Sequence, residues 1–198
     1  MIKVIAFDFG GVLGPDADDW SNTFKQIPKL TGLTESTLQN LFNLHWPKLK
    51  TGEESMKTFW QFVAKESPKE INPEKLRGIY NKSIYVKKEA LKLIGDLRKK
   101  YKIILLANDS DDDYIIKTKK LKLNKVFDKL YCSSQLGISK PNPKIFNYVL
   151  KDLGIKPQEA LFIDNQEDNI KTAESLGINS ILFTNYTETV THIKKCCN

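Results

Sequence analysis

The chain has 198 residues, enough to bury a substantial core, and a formal net charge of +7 at pH 7. It has no apolar stretch long enough to cross a membrane. An apolar strand begins directly at the N-terminus, so we expect neither a membrane helix nor a signal peptide. Cys132, Cys196 and Cys197 are odd in number and lack metal-ligand spacing, which favours a reducing cytoplasm.

The positive charge does not indicate a nucleic-acid-binding protein. Arg77 and Arg98 are the only arginines among the 31 lysine and arginine residues, and the lysines are scattered over every predicted helix. A lysine-rich face usually means solvation, and no module of interleaved basic and aromatic residues is visible. The charge would still attract anionic substrates.

The first predicted element is an apolar strand over residues 2–7, which ends at Asp8 and is followed by Gly10 and Gly11. A short continuous apolar run is typical of a parallel strand buried on both faces. Ligands gather outside the carboxyl ends of such strands, and glycines let the backbone approach them closely. Asp8 therefore has the position of a nucleophile for a phosphate or acyl group.

The segment over residues 15–85 contains helical patterns only. The clearest helices are predicted over residues 34–44, ending before Pro47, and over residues 53–66. The second helix places Met56, Phe59, Trp60 and Val63 on one face. Such a stripe is more typical of a helix-bundle core than of a substrate pocket. We therefore expect an inserted helical cap domain over residues 15–85.

Three later apolar runs also end in polar residues. Residues 103–107 lead into Asn108, residues 130–132 into Ser133 and Ser134, and residues 160–163 into Asp164 and Asn165. Helical patterns lie between them, over residues 90–101 and 145–153, and Asp111, Asp112 and Asp113 are typical of a first helical turn. This alternation predicts an α/β fold with a right-handed parallel sheet, built from residues 1–14 and 86–198.

Four motifs now follow one another at strand ends or in the loops after them. They cover residues 7–13, 105–108, 139–146 and 162–165, the last followed by Asn169. In this order they resemble the haloacid dehalogenase-like (HAD) hydrolase superfamily, in its phosphatase-like branch with a helical cap. The resemblance covers nearly the whole chain and implies a Rossmann-like parallel sheet flanked by helices, with the cap inserted.

The resemblance also implies a mechanism and a set of site residues. Asp8 would attack phosphorus and form an aspartyl-phosphate, which water then hydrolyses. Mg²⁺ would be bound by Asp8, by the Gly10 carbonyl, and by Asp164 or Asn165. The implied substrate is a small phosphorylated metabolite.

The phosphate contacts of such a site fall on the two middle motifs. Lys140 would place a fixed positive charge against Asp8 and the phosphate. Asn108, together with the backbone around Ala107, would hold the other phosphate oxygens.

Three residues depart from the family's phosphatase pattern. Gly10 replaces an aspartate that protonates the leaving group, a contribution of roughly 10²–10⁴-fold. Asp16, Asp18 and Asp19 follow in a possible flap, but the sequence does not fix their geometry. Ala107 replaces a serine or threonine that hydrogen-bonds to phosphate, and Asn165 replaces an aspartate that binds Mg²⁺.

These departures leave two other functions open. A catalytically inactive phospholigand-binding or interaction module would account directly for Gly10, Ala107 and Asn165. A 2-haloacid dehalogenase would use an Asp nucleophile without metal, but the chain lacks the bulky first-motif residue and the Ser-rich last motif expected there. We expect no nucleic-acid or membrane partner, and the sequence predicts no oligomeric state.

Overall fold

The computed structural model describes residues 1–196 and contains a five-stranded parallel sheet flanked by helices. The strands are β1 (Val4–Phe7), β2 (Lys102–Ala107), β3 (Lys129–Cys132), β4 (Ala160–Asp164) and β5 (Asn179–Leu182), in the spatial order β3-β2-β1-β4-β5. The predicted α/β class is confirmed. Cys132 and Cys196 are free thiols, and Cys197 lies outside the described residues. None of the helices within residues 1–196 is long and apolar enough to span a membrane.

Helices connect the strands in the order expected for parallel crossovers. They are α1 (Gln26–Thr31), α2 (Glu35–Leu49), α3 (Met56–Glu66), α4 (Pro73–Ser83), α5 (Lys88–Leu97), α6 (Asp111–Leu121), α7 (Leu123–Val126), α8 (Ser133–Leu136), α9 (Pro143–Leu153), α10 (Glu167–Ser175) and α11 (Tyr186–Cys196), with a 3₁₀ turn at Pro157–Glu159. Four of the strands coincide with predicted runs. The edge strand β5 was not predicted from the sequence.

The central strand β1 is buried on both faces because alternate side chains enter different hydrophobic clusters. Ile5 and Phe7 belong to the larger cluster, which continues into the helices between β1 and α5. Val4 and Ala6 belong to a smaller cluster that packs beneath α9 and α10. This burial brings the end of β1, and with it Asp8, to the edge of the sheet between the ends of β2 and β4.

The cap helices α1–α4 follow β1, and this part of the described chain contains no named strand. The predicted stripe on α3 is core, since Met56, Phe59, Trp60 and Val63 are all at most 1% exposed. The prediction that the preceding helix ends before Pro47 is wrong, because α2 continues to Leu49. Pro47 has no N–H to donate to the Asn43 carbonyl, so α2 lacks that hydrogen bond, but only two helical residues follow it.

Helix α6 of the core holds two ends of the cap helices. The Asp112 carboxylate accepts hydrogen bonds from the backbone N–H groups of Met56 (3.0 Å) and Lys57 (3.2 Å), at the start of α3. Lys120 Nζ donates to carbonyls at the end of α4, at distances from 2.7 to 3.0 Å. The negative charge of Asp112 lies at the N-terminus of α3 and the positive charge of Lys120 at the C-terminus of α4, where each complements the helix dipole. These contacts dock the cap on the core at α6.

A buried carboxyl group lies beside this contact. Asp113 on α6 is 2% exposed, and its Oδ1 atom has no hydrogen-bond partner within residues 1–196. Burial raises the pKa of Asp113 to about 7, against the opposing charge of Lys117 and a hydrogen bond from Tyr80 of α4. Lys117 Nζ in turn donates to Asp109 Oδ2 at 2.8 Å. The protonation of the Asp113 carboxyl group is therefore coupled to the contact between the cap and the core.

This coupling predicts a pH-dependent stability. Because the pKa of Asp113 is raised in the folded state, its stabilising contribution is complete below pH 3.8 and is lost as the pH rises through about 7. We expect Asp113→Asn, which stays neutral, to raise the free energy of unfolding at pH 8 relative to wild type, and to raise it less at pH 5. Urea denaturation at both pH values measures the difference, and parallel pH dependences of the two proteins would contradict the assignment.

Candidate active site

The predicted nucleophile lies at the carboxyl end of the central strand. The backbone N–H of Asp8 donates to the Ile163 carbonyl at 2.9 Å, which extends the pairing of β1 with β4 beyond Phe7. Lys140 Nζ donates to Asp8 Oδ1 and to Asp164 Oδ2, each at 2.6 Å. The Lys140 side chain is 1% exposed. Three motifs that are distant in sequence thus meet at one buried ion-pair triad.

The triad contains two carboxylates and one ammonium group, and its electrostatics combine burial with this unequal charge. Burial raises the pKa of Asp8 to about 7, and Lys140 opposes this rise while Asp164 adds to it. Burial lowers the pKa of Lys140, but the charges of Asp8 and Asp164 offset it and leave the pKa above its ordinary value. Lys140 is therefore a permanent positive charge beside Asp8.

Asp164 is the most enclosed member of the triad, and both of its oxygens are engaged. Oδ1 accepts from the Gln166 backbone N–H at 2.8 Å, and Oδ2 accepts from Asn169 Nδ2 at 2.9 Å as well as from Lys140. The residue is fully buried. Its contacts make it a support for Lys140.

The second motif contributes less to the cleft surface than expected. The Asn108 side chain forms two hydrogen bonds of 2.9 Å with the Lys140 backbone, donating to its carbonyl and accepting from its N–H. Asn108 thus fixes the loop that carries the ammonium group. Ala107 is 1% exposed and packs in the larger hydrophobic cluster, so any contact with a ligand would use its backbone.

The two glycines of the first motif leave room for Asp16 and Asn165. A Cβ atom on Gly10 would lie 3.4 Å from Asp16 Oδ1. Gly11 has a φ of +70°, and a Cβ there would lie 2.2 Å from Asn165 Nδ2 and 2.8 Å from Asp16 Oδ1. Any side chain at position 11 would therefore displace both groups.

Asp16 and Asn165 also interact with each other. A hydrogen bond from the Asn165 side chain lowers the pKa of Asp16, although burial, the largest effect, and Asp18 keep this pKa above its ordinary value. The position of Asp16 could not be predicted from the sequence, because it depends on how the loop after β1 folds back.

A cleft of about 320 Å³ opens above Asp8. The core contributes one wall, which includes Gly10, Asp16, Asn108, Lys117, Lys140 and Asn165. Helix α2 of the cap contributes the opposite wall with Phe42, Asn43 and Trp46, and Lys50 follows at its C-terminal end. Lys117 and the cap side chains were not among the predicted site residues, because neither lies in a sequence motif.

The donor chemistry of the cleft suits a hard cation. Asp8, the Gly10 carbonyl and the Asn165 amide would supply oxygen ligands, which Mg²⁺ prefers. Among residues 1–196, no group of three or more His, Cys, Asp or Glu side chains is arranged to hold a metal ion. A cation here would therefore depend on the backbone and amide oxygens, and on the substrate phosphate, as well as on carboxylates.

Comparisons with known proteins agree with this geometry. Residues 2–177 match the family model described as haloacid dehalogenase-like hydrolase. A D-ribitol-5-phosphate phosphatase from Bacteroides thetaiotaomicron is 32% identical over 194 residues, which cover 89% of each chain. A HAD family enzyme from the same organism, solved with magnesium and inorganic phosphate, superposes with a TM-score of 0.80 at 26% identity, over 96% of this chain and 99% of that one.

A more distant structure shares the fold alone. The L-2-haloacid dehalogenase from Xanthobacter autotrophicus superposes with a TM-score of 0.67 at 20% identity, over 91% of this chain and 76% of that one. The family model, the phosphatase relative and the buried triad at the end of β1 lead to the same assignment. This chain belongs to the haloacid dehalogenase-like hydrolase family.

Proposed function

We propose that this protein is a Mg²⁺-dependent phosphatase that hydrolyses a small phosphorylated polyol or sugar derivative through an aspartyl-phosphate on Asp8. The observation that carries the proposal is the Lys140 ammonium group held 2.6 Å from the Asp8 carboxylate at the floor of the cleft. A nucleophilic carboxylate beside a fixed cation is suited to a dianionic phosphate group. The similarity to a ribitol phosphate phosphatase supports the substrate class.

Each residue of the triad has a separate role in the proposed reaction. Lys140 binds Asp8 Oδ1, which leaves Oδ2, on the Gly10 side, to attack phosphorus. The ammonium group stabilises the charge that develops on the phosphoryl oxygens. Asp164 holds the Lys140 side chain and Asn108 holds the Lys140 backbone, so both are positioning residues.

Mg²⁺ would neutralise phosphate charge and orient the phosphoryl group for in-line attack. Asp8, the Gly10 carbonyl and Asn165 are the residues we assign to hold it. Asp164 already accepts three hydrogen bonds, which favours Asn165 over Asp164 as the ligand from the last motif. Because Asn165 donates from Nδ2 to Asp16, its Oδ1 oxygen remains for the cation.

Asp16 takes the place of the carboxyl group that the family pattern has at position 10. Its Oδ1 atom lies beside the space that a side chain at Gly10 would enter, and it lines the cleft above Asp8. A carboxyl group there can give a proton to the leaving oxygen. We therefore assign leaving-group protonation to Asp16.

A second candidate function is a phospholigand-binding module without turnover. The observation that favours it is Ala107, whose buried methyl group supplies no hydroxyl for a phosphate oxygen. Such a module would bind phosphate esters at the same cleft and release no phosphate. The dehalogenase alternative has weaker support, since the haloacid dehalogenase structure is similar in fold alone.

The nucleophile is tested by Asp8→Asn with an aryl phosphate as substrate. The good leaving group needs no acid, so we expect wild-type hydrolysis in Mg²⁺, loss of activity on chelation, and a loss of at least about 10³-fold in Asp8→Asn. Circular dichroism should show an unchanged fold. Activity that survives the substitution would refute the mechanism, whereas binding of phosphate without any hydrolysis by wild type would establish the module.

The role of Asp16 is tested by the dependence on leaving group. We expect Asp16→Asn to lower kcat on an alkyl phosphate by roughly 10²-fold or more and to affect an aryl phosphate far less, because only the alkoxide needs a proton. Asp19→Asn, in the same loop, is the matched control. Equal losses on both esters would show that Asp16 acts only on binding or on structure.

The metal ligand is tested by Asn165→Asp. The substitution removes the hydrogen bond to Asp16 and sets two carboxylates side by side, so we expect a lower Tm than wild type without metal. The added charge should also bind Mg²⁺ more tightly, so the rise in Tm on adding Mg²⁺ should be larger than in wild type. Equal Mg²⁺ affinities by calorimetry would show that Asn165 is not a ligand.

A further inference from the structure

Lys50 is a cation on the cap wall that the proposed reaction does not use. It follows the last residue of α2, and it lines the cleft together with Phe42, Asn43 and Trp46 of that helix. These residues are spaced so that one side of α2 and its C-terminal end face the cleft. The leaving group of a substrate bound at Asp8 would extend toward this wall.

Lys50 has no charged partner in the part of the chain that the structure describes. Within residues 1–196 its ammonium group forms no hydrogen bond or ion pair, although the side chain is half-buried. The other two lysines that line the cleft are paired, Lys117 with Asp109 and Lys140 with Asp8 and Asp164. Burial lowers the pKa of Lys50 with no opposing contribution from a carboxylate. A desolvated and unpaired ammonium group is unfavourable unless a ligand compensates it.

The position of Lys50 at a helix end does not account for this burial. A lysine in the last turn complements the helix dipole from solvent just as well, as the exposed Lys48 of the same helix does. Asp8 and Lys140 line the core side of the cleft, whereas Lys50 lines its cap side at the end of α2. The transferred phosphate would be paired with Lys140, the ammonium group beside Asp8, which leaves Lys50 for a second anionic group of the substrate.

We propose that Lys50 binds a carboxylate on the leaving group, so that the preferred substrates are phosphate esters of sugar acids or other hydroxy acids. The inference rests on the proposed function and specifies its substrate. The phosphate would sit at Asp8 and Lys140, and the carboxylate at Lys50. The hydroxyl groups between them would face Asp16 and Asn43, whose oxygens can accept hydrogen bonds. Trp46 would cover the carbon chain from the cap side.

The test compares two ligands that differ only at the end remote from phosphate, ribitol 5-phosphate and 5-phosphoribonate. Calorimetry on Asp8→Asn with Mg²⁺ measures both affinities without turnover. We expect the acid to bind about 10- to 100-fold more tightly than the polyol, the range for a hydrogen bond to a charged group. Adding Lys50→Met should reduce this preference to about unity, Lys50→Arg should preserve most of it, and Lys48→Met, the matched control, should leave it unchanged.

The outcomes separate this inference from the proposed function. Binding of both esters with no preference for the acid, or a preference that survives Lys50→Met, would overturn the role of Lys50 alone. Failure to bind either ester or inorganic phosphate would overturn the proposed function and this inference with it. In the wild-type protein, kcat/KM should be higher for the acid than for the polyol, in the same order as the affinities.

Discussion

The arrangement of the site depends on the Lys140 ammonium group, which is buried between the Asp8 and Asp164 carboxylates. Burying an unpaired ion costs roughly several kcal/mol, so the three groups are stable only together. The triad joins the end of β1, the end of β4 and the loop before α9. With both carboxylates ionised its net charge is negative, which makes a cation favourable at the cleft.

A second set of buried charges lies where the cap meets the core. Asp109 and Lys117 pair beneath the cleft, and Asp113 of the same helix contacts Tyr80 of the cap. Asp112 and Lys120, also on α6, hold the ends of α3 and α4. One core helix therefore holds the ends of α3 and α4 and also contributes Lys117 to the cleft. The position of α2, and of the side chains that would meet the leaving group, follows from contacts outside the family motifs.

The sequence was most informative where a short segment determines its own structure. β1, β2 and β4 were recognisable because each contains a run of at least four apolar residues that is buried on both faces. β5 was not, because only Ile181 of this edge strand is buried. The two hydrogen bonds between Asn108 and Lys140 join residues 32 positions apart. The motif order placed both residues at the site, but it could not show that one positions the other.

When the motifs are considered alone, Gly10 and Asn165 look like two independent losses of an aspartate. In the structure the two positions are related, because both lie next to Asp16. The Asp16 carboxylate lies beside the space left by Gly10, and it accepts a hydrogen bond from Asn165. An aspartate at position 165 would oppose Asp16 with a like charge, and any side chain at Gly11 would displace it. With Asp16 in this place, Gly10 and Asn165 are the residues that accommodate it. The three residues together keep a carboxyl group at the side of the cleft where we propose that the leaving group binds, and this supports a rearranged site over a degraded one.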